Sequence, residues 1–152
     1  KEQYGLKSII FRYGNVFGPR QNPNGEAGVV AIFNNRLLKG QAPIINGDGE
    51  QTRDYIYVKD IVQANLLALN LDGSDTFNVG TGQETSVNEL THLILEVAES
   101  DIEVQTSKKN NFEQRRSCLD YEKLKRSLNW SPKVPLKEGL SETFIFFKNN
   151  GI

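Results

Sequence analysis

Short apolar runs rich in β-branched and aromatic residues alternate with longer segments that carry an apolar stripe at helical spacing, and this alternation constrains the fold more than any other feature. Ile9, Ile10 and Phe11 lie in a strand-like run from Leu6 to Tyr13. Val30, Phe33 and Leu37 mark one face of a helix over Val29 to Lys39, closed by Gly40. Ile44-Ile45 forms a short strand before the turn Asn46-Gly47-Asp48-Gly49. Asp54 to Val58 forms another, leading into a helix from Lys59-Asp60 with Val62, Leu66 and Leu69 on one stripe. Thr76 to Val79 is a strand ending in Gly80-Thr81-Gly82. Ser86 and Glu89 have capping-box spacing, and the helix they open carries Val87, Leu90, Ile94 and Val97 on one face. Ile102 to Gln105 reads as an edge strand and residues 108–114 as a polar loop. Asp120 can cap a helix over Tyr121 to Leu128, with Pro132 beyond its end. Leu136, Leu140, Phe144 and Phe147 mark a last helix. Such alternation implies an α/β architecture with a parallel or mixed sheet. Ligands in these folds collect at loops that follow strand C-termini.

The composition narrows the function by exclusion. A chain of 152 residues suits one domain. The formal net charge of -1 gives no reason to expect nucleic acid or an anionic membrane as partner. No apolar run approaches the roughly 20 residues that span a bilayer. With one cysteine, Cys118, and one histidine, His92, no intrachain disulfide and no Cys/His metal cage can form. The low cysteine content suits a reducing cytoplasm. His92 falls mid-helix off the apolar stripe, so a surface role is expected rather than catalysis. Arg115 and Arg116 could lower the pKa of Cys118, although a small core residue is the preferred reading. Gly80-Thr81-Gly82 resembles a fragment of a phosphate loop, but no complete dinucleotide fingerprint follows any strand. The chain begins at Lys1, has no signal-peptide pattern and contains no Met, and it is expected to be cut from a longer protein.

Anion recognition is the stronger lead. Arg53 sits at the mouth of the strand Asp54 to Val58, and Arg115 and Arg116 follow a polar loop. A guanidinium can hold two phosphate oxygens at once. The competing reading is surface ion pairing, worth at most ~1 kcal/mol for each pair. Spacing alone leaves both open.

Four stretches carry a family resemblance. Phe11-Arg12-Tyr13-Gly14-Asn15-Val16-Phe17-Gly18-Pro19-Arg20-Gln21 is similar to the "LRYxNVYGPRQ" stretch of extended short-chain dehydrogenase/reductases. Gly47 to Asp60 is similar to their "GDGxQxRDYIYVxD". Phe77 to Gly82 is similar to "FNxGTG", and Arg116 to Asp120 with Leu128 to Pro132 to "RxSxLD…LGWxP". The order is right, and the resemblance covers essentially the whole chain. It is closest to the UDP-glucose 4-epimerase branch of the NAD-dependent epimerase/dehydratase family, where the segment Gly25 to Phe33 also fits.

The resemblance implies that this chain is the nucleotide-sugar-binding C-terminal part of an extended Rossmann-type protein, a mixed sheet with helices. An N-terminal half, absent here, would bind NAD and carry a catalytic Tyr-x-x-x-Lys pair. Tyr121 and Lys125 match those letters, but they lie on a late helix and are discounted. The implied reaction oxidises the sugar at C4 to a 4-keto intermediate, which rotates and is reduced on its other face. Position by position, Asn15 would bond the diphosphate or sugar, and Gly14 would approach the nicotinamide side of the cofactor. Val29 and Val30 would meet the nucleotide through backbone. Ile44, Ile45 and Asn46 would line the base slot, Arg53 would pair with phosphate, and Glu113 would accept bonds from the ribose hydroxyls. Asn46 stands where the family often has an aromatic residue. Asn110 stands where it often has arginine, a gap that Lys108 or Lys109 could fill as a less directional charge. Ser117 falls where a bulky tyrosine would exclude an N-acetyl arm. The whole enzyme is expected to be a cytoplasmic homodimer acting on a UDP-hexose, and residues 1–152 alone are expected to be catalytically silent. A dehydratase or decarboxylase of the same superfamily, or a non-catalytic nucleotide-sugar-binding module, remains open.

Overall fold

Parallel pairing between segments far apart in sequence organises the chain. The computed structural model describes residues 4–24, 28–108 and 114–151. In it β1 (Ile9–Tyr13) runs parallel to β6 (Asp75–Val79), with Phe11 opposite Phe77. β2 (Asn15–Phe17) runs parallel to β5 (Tyr55–Tyr57), with Asn15 opposite Tyr55. β3 (Ile44–Asn46) is parallel to β8 (Gln105–Ser107), and the short β4 (Thr52–Arg53) is antiparallel to β7 (Thr85–Ser86). Parallel pairs need long crossovers. These contain α1 (Val29–Leu38), α2 (Val58–Ala68) and α3 (Val87–Ala98), while α4 (Glu122–Leu128) and α5 (Leu136–Asn150) follow. The architecture is the expected α/β arrangement of mixed strands with helices.

β5 explains why two cores form. Successive side chains of a strand point to opposite faces. Tyr55 and Tyr57 enter one core with Phe17, Phe33, Leu90, Ile94 and Leu140, which joins α1, α3 and α5. Ile56 enters the other, with Phe77, Val79, Leu124 and Trp130. There Tyr121 meets Trp130 edge-on, with ring centroids 5.6 Å apart. The strand is therefore buried on both faces, as parallel strands usually are.

The helix after β5 turns a different face inward from the one its stripe suggests. Val62, Leu66 and Leu69 do share a side, but they are 52%, 59% and 80% exposed. Ile61, Ala64 and the carboxylate of Asp60 are buried instead. Asp60 dictates this rotation. Its carboxylate accepts the N–H groups of Lys133 (2.9 Å) and Val134 (3.2 Å), and its carbonyl accepts the Trp130 indole N–H at 3.2 Å. A buried carboxylate must find such donors, so the helix sits with that side on the 130–134 segment.

Other elements lie close to expectation. His92 is exposed and Phe147 is buried. The stretch Asn15–Phe17, an apolar pair between turn formers, is a strand because β5 pairs with it. The edge strand falls at Gln105–Ser107, later than its apolar pattern, because pairing with β3 sets its register. Ile102 and Val104 pack half-buried on the first core. Asp120 does serve the start of α4, its carboxylate accepting the N–H of Glu122 at 2.8 Å. No helix among the described residues is long and apolar enough to cross a membrane.

The capping box at α3 is complete. Ser86 Oγ accepts the Glu89 N–H at 3.1 Å, and the Glu89 carboxylate accepts the Ser86 N–H at 2.8 Å. Those bonds, the backbone one first, hold the Glu89 carboxyl below the usual carboxylate range. Ser86→Ala should lower unfolding free energy by about 1 kcal/mol in urea titrations. A depressed folded pKa contributes stability above the unfolded pKa and loses it as pH falls through the folded one. The advantage of the native chain over Glu89→Gln should therefore disappear under acid conditions.

Candidate functional site

The extended segment 51–55, which contains β4 and the first residue of β5, turns its odd-numbered residues to one side. Gln51, Arg53 and Tyr55 all line a cavity of about 350 Å³. Asn15 joins them because β2 lies beside β5. Ile44, Ile45 and Asn46 come from β3, and Gly28 and Val29 from the start of α1. Six residues expected from the sequence, Asn15, Val29, Ile44, Ile45, Asn46 and Arg53, thus share one cavity.

The polar character of this cavity suits an anion. Gly28 precedes α1, and among the described residues no side chain caps that helix end. Helix N-termini present unsatisfied N–H groups and a partial positive charge. The Arg53 guanidinium is half-buried at the same cavity and donates to the Thr52 carbonyl at 2.8 Å. Asn15 is exposed, with its backbone N–H bonded to the Asp54 carbonyl at 2.6 Å. A short apolar wall of Ile44, Ile45 and Ile32 completes the space. Gln51 donates through its amide to the Asn46 carbonyl at 3.2 Å, tying one rim to the strand.

The remaining candidates fall elsewhere. Val30 does not line this cavity: its side chain is buried in the core and it borders only a small recess beside Asn15 and Val29. Gly14 packs behind Asn15, its N–H bonded to the Val79 carbonyl at 2.9 Å. Ser117 is half-buried next to the cavity strand, donating its N–H to the Thr52 carbonyl at 3.2 Å. Glu113, with Lys109 and Asn110, lies outside the described residues. Lys108 is exposed and away from the cavity lining.

Arg115 and Arg116 are ion-paired. Arg115 bonds both Asp48 oxygens, at 2.8 and 2.9 Å, and Arg116 Nε bonds Glu84 at 2.6 Å. Arg116 bridges Thr52, whose hydroxyl also donates to Glu84 at 2.8 Å. That places Arg116 on the Thr52 side of the strand, away from Arg53. Both arginines are well exposed, so these pairs contribute little to stability.

Sequence reasoning missed Gln51, Tyr55, Phe33, Val87, Gly28 and Ile32 as lining residues. Counting by twos from Arg53 finds the first pair. Phe33 and Val87 carry no local signal beyond their place on apolar helix faces. A second cavity, about 410 Å³, is walled by Phe17, Tyr57, Tyr121 and the Pro132–Leu136 segment, and none of the expected site residues enters it. Among the described residues no cluster of His, Cys, Asp and Glu could hold a metal ion.

Gly80-Thr81-Gly82 is not a phosphate cradle. The N–H groups of Thr81 and Gly82 already bond the Asp54 carboxylate, at 2.8 and 3.1 Å.

A mixed α/β half with its cavity at the ends of parallel strands is the C-terminal part of an extended short-chain dehydrogenase/reductase fold. The chain belongs to the NAD dependent epimerase/dehydratase family, which matches over residues 1–80. It is 46% identical over 147 residues to the UDP-glucose 4-epimerase of Mycolicibacterium smegmatis, covering 96% of this chain and 47% of that protein. The crystal structure of a UDP-glucose 4-epimerase with UDP-glucose from Thermotoga maritima superposes with a TM-score of 0.94 at 48% identity, covering 99% of this chain and 49% of that one. A UDP-N-acetylglucosamine 4-epimerase from Methanobrevibacter ruminantium, solved with UDP-N-acetylmuramic acid, gives 0.90 at 38% identity, with coverage of 97% and 48%. The chain spans about half the length of the relatives it matches.

Cys118 does not behave as its neighbouring arginines suggest. Burial, then the charges of Asp54 and Glu84, push its thiol above the ordinary value and outweigh Arg116. Alkylation of Cys118 by iodoacetamide should be slow at neutral pH and should accelerate only above the range of an ordinary thiol, as followed by mass spectrometry.

Proposed function

We propose that this chain is the substrate-binding part of an NAD-dependent UDP-hexose 4-epimerase. The observation that carries the reading is the convergence of Arg53, Asn15 and the uncapped start of α1 on one cavity. Arg53 pairs with the diphosphate, and the neutral Asn15 amide bonds a phosphate or sugar oxygen without adding charge. The backbone at Val29 and Val30 meets the nucleotide. Ile44, Ile45 and Asn46 form the base slot, and Glu113 takes the ribose hydroxyls. When bound, NAD supplies the hydride acceptor and donor, and Gly14 stands nearest to it in this half. Holding the diphosphate while leaving the hexose free to turn is the work of these residues.

A preceding half supplies the Rossmann fold and the Tyr-x-x-x-Lys pair in this reading. It covers exposed apolar residues of β1 and α2, among them Tyr13, Val62 and Leu66, where Tyr13 and Asn65 are hydrogen-bonded across β1 and α2. The complete protein is a homodimer, and residues 1–152 alone do not turn over substrate.

The complete protein should interconvert UDP-glucose and UDP-galactose with no net change in NAD absorbance. Arg53→Ala and Asn15→Ala should each weaken UDP binding by titration calorimetry. Loss of a hydrogen bond to a charged group is worth about 1.5–3 kcal/mol, so roughly ten- to hundredfold is expected for Arg53. Unchanged affinity in both variants would remove the diphosphate assignment.

Ser117 is small and adjoins the cavity strand, which leaves room for an N-acetyl arm at the sugar C2 position. Ser117→Tyr should reduce turnover of UDP-N-acetylglucosamine relative to UDP-glucose. An unchanged ratio would show that this residue does not gate the pocket.

A further inference from the structure

Asp54 is 1% exposed and sits directly between two cavity-lining residues, Arg53 and Tyr55. Since those two face the cavity, alternation sends the Asp54 carboxylate to the opposite side of the strand. There one oxygen accepts the Thr81 N–H at 2.8 Å and the Thr81 hydroxyl at 2.6 Å. The other accepts the N–H groups of Gly82 at 3.1 Å and Leu119 at 3.2 Å. The Asp54 carbonyl accepts the Asn15 N–H at 2.6 Å. Two glycines make room for it. A Cβ on Gly14 would lie 2.7 Å from the Asp54 carbonyl oxygen, and one on Gly80 would overlap the carboxylate.

Every partner of that carboxylate is a donor. A carboxylate is acceptor-only, whereas an amide would have to turn its NH₂ toward N–H groups. The carboxylate therefore ties two separate segments, the turn at Thr81-Gly82 and the chain at Leu119, to the back of the extended segment whose front bears Arg53. Through its carbonyl Asp54 also fixes the backbone of Asn15.

We propose that Asp54 is a positioning residue for ligand binding: it pins the strand from behind so that Arg53 and Asn15 face the cavity at a fixed separation. The proposal rests on the reading that these two residues grip the diphosphate. Preorganised groups bind more tightly because less ordering remains to be done on binding.

The test is a double-mutant cycle on the complete protein, reading UDP affinity by calorimetry well below each variant's melting temperature. Asp54→Asn keeps shape and size while replacing one acceptor with a donor. It should weaken UDP about tenfold or more, although Asp54 touches no ligand. Combined with Asn15→Ala, the loss should fall short of the product of the two single losses, because residues acting through one another are not additive. Thr81→Val, which removes one hydroxyl donor, should shift affinity in the same direction by a smaller factor. A folded Asp54→Asn protein with lower melting temperature but native UDP affinity would overturn the proposal, as would losses that simply multiply. If Asp54→Asn does not fold, Thr81→Val and its cycle with Asn15→Ala decide, and unchanged affinity there overturns the proposal. Native protein that binds UDP no differently from Asn15→Ala and Arg53→Ala would instead defeat the diphosphate reading itself, and the positioning role with it.

Discussion

Two buried carboxylates hold this half together, because a charge removed from water must be surrounded by donors. Asp54 and Asp60 lie six residues apart, on either side of β5. Asp54 draws in the turn at Thr81-Gly82 and the backbone of Leu119. Asp60 draws in the backbone of Lys133 and Val134 and, through its carbonyl, Trp130. In each case the partners come from segments far along the chain. A hydrophobic core could form with many relative placements of those segments, but the directional bonds to a carboxylate allow few.

Between these two anchors β5 is buried on both faces and separates the cores. The same two-residue period that divides Tyr55 and Tyr57 from Ile56 also divides Arg53 from Asp54. One side of the strand therefore faces a potential ligand, and the other is fixed to the protein. The exposed pairs Arg115–Asp48 and Arg116–Glu84 differ in kind, since they lie in solvent and can exchange partners at little cost.

Much of the fold was legible because its signals are local. The stripe of α3 and its Ser86–Glu89 cap need only a dozen residues to be read. The Gly-rich turns and short β-branched strands are equally local. The rest depended on pairing. Asn15–Phe17 is a strand only because β5 lies beside it. The last edge strand takes its register from β3 rather than from its own apolar residues. Val62, Leu66 and Leu69 form a genuine stripe, yet the demand of Asp60 for donors turns the helix so that this stripe is exposed. The exposure also leaves an apolar face on a chain that spans half the length of its relatives.

For the site, residue types and motif order identified the family and named six of the residues that line one cavity. They gave Gly14 as a neighbour of the cofactor only through the family resemblance, set Gly80-Thr81-Gly82 aside as an incomplete phosphate loop, and left Arg115 and Arg116 open between phosphate binding and ion pairing. Tertiary structure packs the glycines at 14 and 80 against Asp54 and pairs the two arginines with neighbouring acids. The amino-acid sequence by itself determined the α/β class, the helix stripes and the chemistry available, since these follow from short-range spacing and side-chain type. Only the folded chain decided which side of each strand met the cavity and which carboxylate took which donors, because those depend on contacts between residues 27 to 74 positions apart.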